Sequence, residues 1–162
     1  MPLLVPAPSK TRTSSAEWTL VIADHDPVLA DVMRRYLLLR GFEVETATGG
    51  IQCLDKLHNC DQGILILDHE LRWGGSDGVL AIMREDPFLS RIPVILTSTV
   101  PLGECGPGVD STSIRCQLVK PFALQTLFEC ILSIRSERQM MGDRRAVSPR
   151  PSWIPPAGEN HE

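Results

Sequence analysis

Short runs of apolar residues alternate with longer amphipathic stretches through the middle of the chain. Residues 19–23 (TLVIA), 63–67 (GILIL) and 92–97 (IPVILT) are apolar at nearly every position, as is typical of strands buried on both faces of a sheet. Residues 42–47 alternate apolar and polar positions, and residues 116–120 form a short apolar run, so two further strands are predicted there. The pattern therefore predicts five strands.

Stretches with apolar residues every three to four positions separate these strands. The clearest predicted helix opens at Pro27, which is well tolerated in a first helical turn, and Asp26 is suited to cap it. Its apolar face is predicted to consist of Val28, Leu29, Val32, Met33, Tyr36 and Leu37. Further helices are predicted at 50–60, 78–86 and 123–138. The alternation predicts an α/β fold with a doubly wound, five-stranded parallel sheet that has helices on both faces.

The alternation is interrupted between the last two strands. Residues 98–115 contain two prolines and three glycines and show no sustained helical period. The alternation of strands and helices predicts a helix there, but the prolines and glycines disfavour one. The fourth helix is therefore predicted to be short or irregular.

Length and composition place limits on the class of protein. The 162 residues suffice for one domain, predicted at 18–137, and the Pro- and Ser-rich residues 1–17 and 138–162 are predicted to be disordered tails. A net charge of -4 supplies no basic field for nucleic acid, and no apolar run is long enough to cross a membrane. Five cysteines, an odd number without a CxxC pair, favour neither a disulfide framework nor a zinc site, so a reducing, cytoplasmic location is expected.

Polar side chains follow the predicted strands at the ends where ligands bind in doubly wound sheets. Asp24 and Asp26 follow the first strand, Asp68 follows 63–67, and Ser98 and Lys120 close the last two strands. Each has an ordinary structural explanation when taken alone; Asp26, for example, can serve as a helix cap. Together, acids, a hydroxyl and an ammonium group suit phosphoryl transfer, in which negative oxygen must be positioned and neutralised.

This ordered set resembles the receiver domains of two-component response regulators, the CheY-like superfamily. The resemblance covers residues 18–137 and rests on Asp24 after the first strand, LILD ending in Asp68, PVILTS ending in Ser98, and LVKPF containing Lys120. It implies a flavodoxin-like sheet of five strands with five helices. It also implies that Asp68 is the phosphoacceptor, that Ser98 hydrogen-bonds the phosphoryl group, and that Lys120 pairs with it.

The resemblance further implies a metal site and a signalling role. Asp24, Asp68 and the backbone carbonyl of Glu70 would hold Mg²⁺, and the peptide before Pro121 would be cis. A sensor histidine kinase or a phosphotransfer protein would supply the phosphoryl group, and no activity beyond self-phosphorylation and self-dephosphorylation is expected. Residues 138–162 are too few for an output domain, so a stand-alone receiver would signal through contacts with other proteins.

The chain departs from the family pattern at His25, where a second acid usually binds the metal. Imidazole is a poor partner for Mg²⁺ and a better one for softer ions, so weaker Mg²⁺ binding is expected, with Mn²⁺ as the alternative ion. His69, which also follows an acid at a strand end, could form a transition-metal site with His25.

Two alternative functions remain open at this point. A pseudo-receiver would keep the fold as a protein-interaction module without phosphorylation, as the change to His25 favours. A phosphohydrolase similar to the haloacid dehalogenases would use Asp24 as the nucleophile and Asp26 as the acid and base. That reading leaves Asp68 without a role, and few acids follow Lys120 to complete its metal site.

Overall fold

Five parallel strands form the central sheet in the computed structural model, which describes residues 18–72, 75–101 and 113–142. The strands are β1 (Thr19–Ala23), β2 (Glu43–Ala47), β3 (Gly63–Asp68), β4 (Val94–Ser98) and β5 (Ile114–Val119). They lie in the order β2-β1-β3-β4-β5, so the chain crosses from β2 over β1 to reach β3. The predicted doubly wound parallel sheet is confirmed.

Four α-helices lie among the described residues. They are α1 (Pro27–Leu38), α2 (Gly50–His58), α3 (Gly75–Glu85) and α4 (Leu124–Gly142), and a single 3-10 turn (Leu89–Arg91) follows α3. The predicted short or irregular helix between β4 and β5 falls on 102–112, which lies outside the described residues.

The buried side chains form one cluster on each face of the sheet. Leu57 of α2 and Leu80 of α3 pack with Leu65 and Leu67 of β3 in one cluster. The other cluster joins β1 to α1 and α4 and includes Leu20, Ile22, Met33, Leu127 and Ile131. Successive residues of β1 and β3 therefore face opposite clusters, which explains why these strands are apolar at every position.

Helix α1 begins as predicted but buries a different face. Asp26 Oδ1 accepts hydrogen bonds from the backbone N–H groups of Val28 (2.9 Å) and Leu29 (3.3 Å), and Pro27 opens the helix. The buried residues are Ala30, Met33 and Leu37. Val28 is 71% exposed and Val32 is 45% exposed, so the prediction that both belong to the packed face is wrong. The sheet contacts only one side of α1, and these two valines lie on the other side.

Helix α4 is longer than the sequence pattern predicts. It ends at Gly142, whereas the predicted domain boundary falls at residue 137. Neither proline nor glycine occurs between 137 and Gly142, so the local sequence offers no earlier stop. The remainder of the two predicted tails, 1–17 and 143–162, lies outside the described residues. Within the described part of the chain, no helix is long and apolar enough to cross a membrane.

The cysteines depart in part from the expectation of unpaired thiols. Cys116 of β5 and Cys130 of α4 form a disulfide that joins the strand to the helix packed on it. Cys53 and Cys60 are buried and form no disulfide, and burial raises the pKa of the Cys53 thiol to about 12. The spacing of 14 residues between the two cysteines does not predict a disulfide. The pair forms because the packing of α4 on β5 brings the two side chains together. The reducing, cytoplasmic location stays a prediction.

Candidate functional site

Two buried carboxylates lie side by side at the carboxyl edge of the sheet. Strands β1 and β3 are paired in parallel up to Ala23 and Leu67, and Asp24 and Asp68 are the residues that follow this last pair. Asp24 is 2% exposed and Asp68 is fully buried. Because buried charges are costly unless they are paired, neighbouring groups must compensate these carboxylates.

Lys120 pairs with both carboxylates. Its Nζ lies 3.0 Å from Asp24 Oδ2 and 3.2 Å from Asp68 Oδ1. The residue directly follows β5, its N–H donates to the carbonyl of Ser98 (2.7 Å), and the Lys120–Pro121 peptide is cis, as the family resemblance implies. Burial lowers the pKa of Lys120, but the hydrogen bond to Asp24 and the charges of both carboxylates outweigh it, so the pKa lies above its usual value. Lys120 is therefore a permanent cation in this site.

Asp68 accepts hydrogen bonds on both oxygens. Oδ1 accepts from the N–H of Glu70 (3.1 Å), and Oδ2 accepts from the N–H of His25 (3.3 Å) and contacts His25 Nδ1. Burial raises the pKa of Asp68, but the hydrogen bonds from His25 and Glu70 and the charge of Lys120 outweigh it, and the pKa lies below its usual value. Asp68 is therefore ionised at neutral pH, the form that a carboxylate nucleophile requires.

His25 completes a cluster of possible metal ligands. Its Nδ1 contacts Asp68 Oδ2 and lies 3.7 Å from Asp24 Oδ1. Asp24, His25 and Asp68 each offer one ligand atom, and these atoms all lie within 4.8 Å of one another. Within the described ranges, His69 is not a member of this cluster, and its N–H donates to the carbonyl of Thr97 (2.8 Å). The geometry groups the two acids with His25 and leaves out the second histidine that sequence reasoning considered.

Strand β4 contributes two buried hydroxyl groups next to Asp68. Thr97 is the register partner of Asp68, and Ser98 follows it at the end of the strand. Ser98 Oγ accepts a hydrogen bond from the N–H of Val100 (3.1 Å), and its contact with a phosphoryl group stays a prediction. Thr97 Oγ1 is fully buried and has no hydrogen-bond partner among the described residues. Sequence reasoning gave Thr97 no role, although a hydroxyl near the end of an apolar strand is a visible signal.

Asp26 and Glu70 contribute to this edge in different ways. The Asp26 carboxylate caps α1, and its backbone N–H donates to Asp24 Oδ1 (2.8 Å). It therefore positions Asp24 and does not join the cluster of ligand atoms. The Glu70 side chain contacts the hydroxyl of Thr99, while the metal role predicted for its backbone carbonyl stays a prediction.

The donor set fits Mg²⁺ only in part. The carboxylate oxygens of Asp24 and Asp68 are the ligands that Mg²⁺ prefers, and two such groups suffice to anchor it. The imidazole nitrogen of His25, which lies against the same carboxylates, is not a Mg²⁺ ligand of choice. These side chains could hold a divalent cation, and one of the donors disfavours Mg²⁺.

Comparison with known proteins identifies the fold. No family model matches the chain. A probable transcriptional regulator ycf29 of Pyropia yezoensis is 28% identical over 78 residues, which cover 48% of this chain and 35% of the relative. The match thus spans about a third of the length of that relative.

Solved structures match over most of the described chain. A CheY-like response regulator receiver domain protein of Methanospirillum hungatei JF-1 superimposes with a TM-score of 0.69 at 20% identity, covering 79% of this chain and 100% of that one. The signal receiver domain of an HD domain-containing protein of Pseudomonas fluorescens Pf-5 gives a TM-score of 0.70 at 16% identity, with 85% and 100% covered. The chemotaxis protein CheY4 of Vibrio cholerae gives 0.66 at 21% identity, with 74% and 99% covered. The chain therefore has the CheY-like fold of response regulator receiver domains.

Proposed function

We propose that this protein is a response regulator that accepts a phosphoryl group on Asp68 and signals through protein contacts. The observation that carries the proposal is the fully buried Asp68 carboxyl group with Lys120 Nζ at 3.2 Å from its Oδ1. A carboxylate is a nucleophile only when ionised, and a fixed ammonium group can stabilise the phosphoryl oxygens during transfer. Asp68 supplies the carboxylate and Lys120 supplies the ammonium group, so both requirements are met at one site.

The proposed donor is a phosphohistidine of a sensor kinase or of a phosphotransfer protein. An Asp68 oxygen attacks the phosphorus atom and forms an acyl phosphate, while the phosphorus–nitrogen bond breaks. The electron pair of that bond goes to the donor imidazole, which then takes up a proton. The Lys120 ammonium group then pairs with the new phosphoryl oxygens in place of the carboxylate. The Ser98 hydroxyl donates a hydrogen bond to one of these oxygens. This is positioning and charge neutralisation rather than acid and base catalysis.

The proposal includes a divalent cation held by Asp24, Asp68 and the backbone carbonyl of Glu70. When bound, it neutralises oxygens of the transferring phosphoryl group. Mg²⁺ is the ion that the receiver fold suggests, with Mn²⁺ as the alternative. The carboxylates already lie together at the sheet edge, which supports their role as ligands.

Signalling follows from the change in charge at the edge of the sheet. Phosphorylation replaces one negative charge on Asp68 with a bulkier, more negative group, and Lys120 responds because it pairs with that carboxylate. Lys120 is joined to Ser98 through its backbone N–H, so β4 and β5 are coupled to the site. We expect the partner proteins to recognise the surface around these strand ends in the cytoplasm.

One observation favours a pseudo-receiver as the second candidate. Both oxygens of Asp68 already have partners within the protein, Oδ1 with Lys120 and Oδ2 with His25. Such a site could hold the fold together without any phosphoryl transfer. A phosphohydrolase that uses Asp26 has less support, because the Asp26 carboxylate caps α1.

Intact mass measurement after incubation with acetyl phosphate separates these functions. The wild-type protein with Mg²⁺ or Mn²⁺ is expected to gain the mass of one phosphoryl group, and Asp68→Asn is expected to gain none. Asp26→Asn serves as the matched control and is expected to gain the group as the wild type does. An adduct that survives Asp68→Asn and disappears in Asp24→Asn would identify the phosphohydrolase. A folded wild-type protein that gains no mass with either metal would overturn the proposal in favour of the pseudo-receiver.

A further inference from the structure

We infer that the site binds a divalent ion of the first transition series, such as Mn²⁺ or Zn²⁺, in preference to Mg²⁺, with His25 Nδ1 as a direct ligand. The inference rests on the proposed function in that it names the cation of the same site.

Lys120 and His25 divide the four carboxylate oxygens between them. Lys120 Nζ lies beside Asp24 Oδ2 and Asp68 Oδ1, at 3.0 and 3.2 Å. His25 Nδ1 lies beside the other two oxygens, Asp24 Oδ1 and Asp68 Oδ2. An ion on the His25 side therefore uses oxygens that the ammonium group does not need, and it can bind without displacing Lys120.

The distance between His25 Nδ1 and Asp24 Oδ1 suits a shared ion. Nitrogen and oxygen ligands lie about 2.0 to 2.2 Å from Zn²⁺, so two ligands of one ion lie up to roughly 4.4 Å apart. Nδ1 and Asp24 Oδ1 are 3.7 Å apart, which falls inside that limit. Nδ1 and Asp68 Oδ2 are in direct contact, so an ion shared by these two atoms requires the imidazole to give up this contact and move away from Oδ2.

Local charge favours an added cation. Asp24 and Asp68 are buried carboxylates, and Lys120 supplies one positive charge, so these three residues carry one excess negative charge. Because two buried carboxylates share a single ammonium group, the site carries net negative charge and attracts a cation.

The chemical nature of the ligand atom, an imidazole nitrogen, determines which ion is preferred. Mg²⁺ prefers six oxygen ligands and seldom accepts nitrogen, whereas imidazole is a common ligand of Zn²⁺ and other transition ions. The backbone N–H of His25 is hydrogen-bonded to Asp68 Oδ2, which places the ring next to the carboxylates. The His25 side chain is 28% exposed, so water can complete the coordination from the solvent side.

Titration calorimetry on the full chain tests the preference. The wild type is expected to bind Zn²⁺ and Mn²⁺ at least about 10-fold more tightly than Mg²⁺. His25→Asp is expected to strengthen Mg²⁺ binding and weaken Zn²⁺ binding, which reverses or removes the preference. His69→Ala is the matched control, because His69 follows Asp68 but is not in the cluster, and it should bind all three ions as the wild type does.

Pulsed electron paramagnetic resonance of the Mn²⁺-loaded protein supplies a direct readout. Coupling to a bound nitrogen nucleus is expected in the wild type and in His69→Ala, and it should disappear in His25→Asp. Equal affinity for Mg²⁺ and the transition ions, or no nitrogen coupling, would overturn the inference. Nitrogen coupling without any phosphoryl adduct would overturn the proposed function alone, while a Mg²⁺-dependent adduct without nitrogen coupling would overturn only the inference.

Discussion

Replacing Lys120 with methionine is expected to destabilise the fold strongly. Methionine keeps the length and packing of the side chain but removes the ammonium that lies 3.0 Å from Asp24 Oδ2 and 3.2 Å from Asp68 Oδ1. At an effective dielectric constant of about 20, each such pair corresponds to roughly 5 kcal/mol before the cost of burying the ammonium is subtracted. Breaking a buried pair by removing one partner costs about 3 to 5 kcal/mol. We expect Lys120→Met to fall in that range, which lowers the Tm by at least about 10 °C for a domain of this size.

The stability difference between the wild type and Lys120→Met should depend on pH. The folded pKa of Asp68 is lowered, so the stability it contributes is present above its ordinary value of 3.8 and is lost as the pH falls below that value. The folded pKa of Lys120 is raised, so its contribution is present below the ordinary value of 10.5 and is lost only as the pH rises through the higher folded value. The difference should therefore be greatest between about pH 5 and pH 10 and should shrink as the carboxylates become protonated.

Urea unfolding followed by circular dichroism, at neutral pH and near pH 3, measures this difference. Lys56→Met is the matched control, because Lys56 pairs with Glu45 at 2.8 Å but the Glu45 side chain is 54% exposed. Exposed pairs contribute less than about 1 kcal/mol, so the control should unfold nearly as the wild type does. The reasoning would be refuted if Lys120→Met lost no more stability than Lys56→Met, or if its loss were as large near pH 3 as at neutral pH.

Two further substitutions test the local structure by the same urea assay. Asp26→Ala should cost about 1 kcal/mol because it removes the cap of α1. Asp26→Asn should retain most of the stability, since Asn also caps helices well. Equal losses in the two variants would contradict the capping role. Thr97→Val should be neutral or stabilising by about 1 kcal/mol, because the buried hydroxyl of Thr97 has no hydrogen-bond partner among the described residues. Thr97→Ser keeps the hydroxyl and should show no such gain. A clear loss in Thr97→Val would mean that the hydroxyl is hydrogen-bonded in solution.

Most of the fold is visible in the sequence because its signals are local. The apolar runs at β1 and β3 predict buried parallel strands, and Asp26 followed by Pro27 predicts the start of α1. The face of α1 is less predictable, since Val28 and Val32 are as apolar as the buried residues yet point away from the sheet. Hydrophobic pattern defines an apolar arc, but the packing of the helix decides which part of that arc is covered.

The disulfide is another feature that the local sequence pattern does not predict. Cys116 and Cys130 are 14 residues apart in a chain with an odd number of cysteines, and nothing in that spacing indicates a pair. They meet because α4 packs against β5. Contacts between elements that are distant along the chain depend on the angle and position of packing, which a local pattern does not encode.

The sequence by itself determined which polar residues reach the functional edge. Parallel strands end at one edge of a sheet, so Asp24, Asp68 and Lys120 were expected to converge there, and the structure brings them together. Only the tertiary structure decided how their atoms pair, with Lys120 on one oxygen of each carboxylate and His25 beside the other. The strands and their parallel arrangement follow from the alternating sequence pattern, whereas the choice of oxygen depends on side-chain rotation and backbone register across three strands. That division of oxygens is the observation from which we propose His25 as a metal ligand.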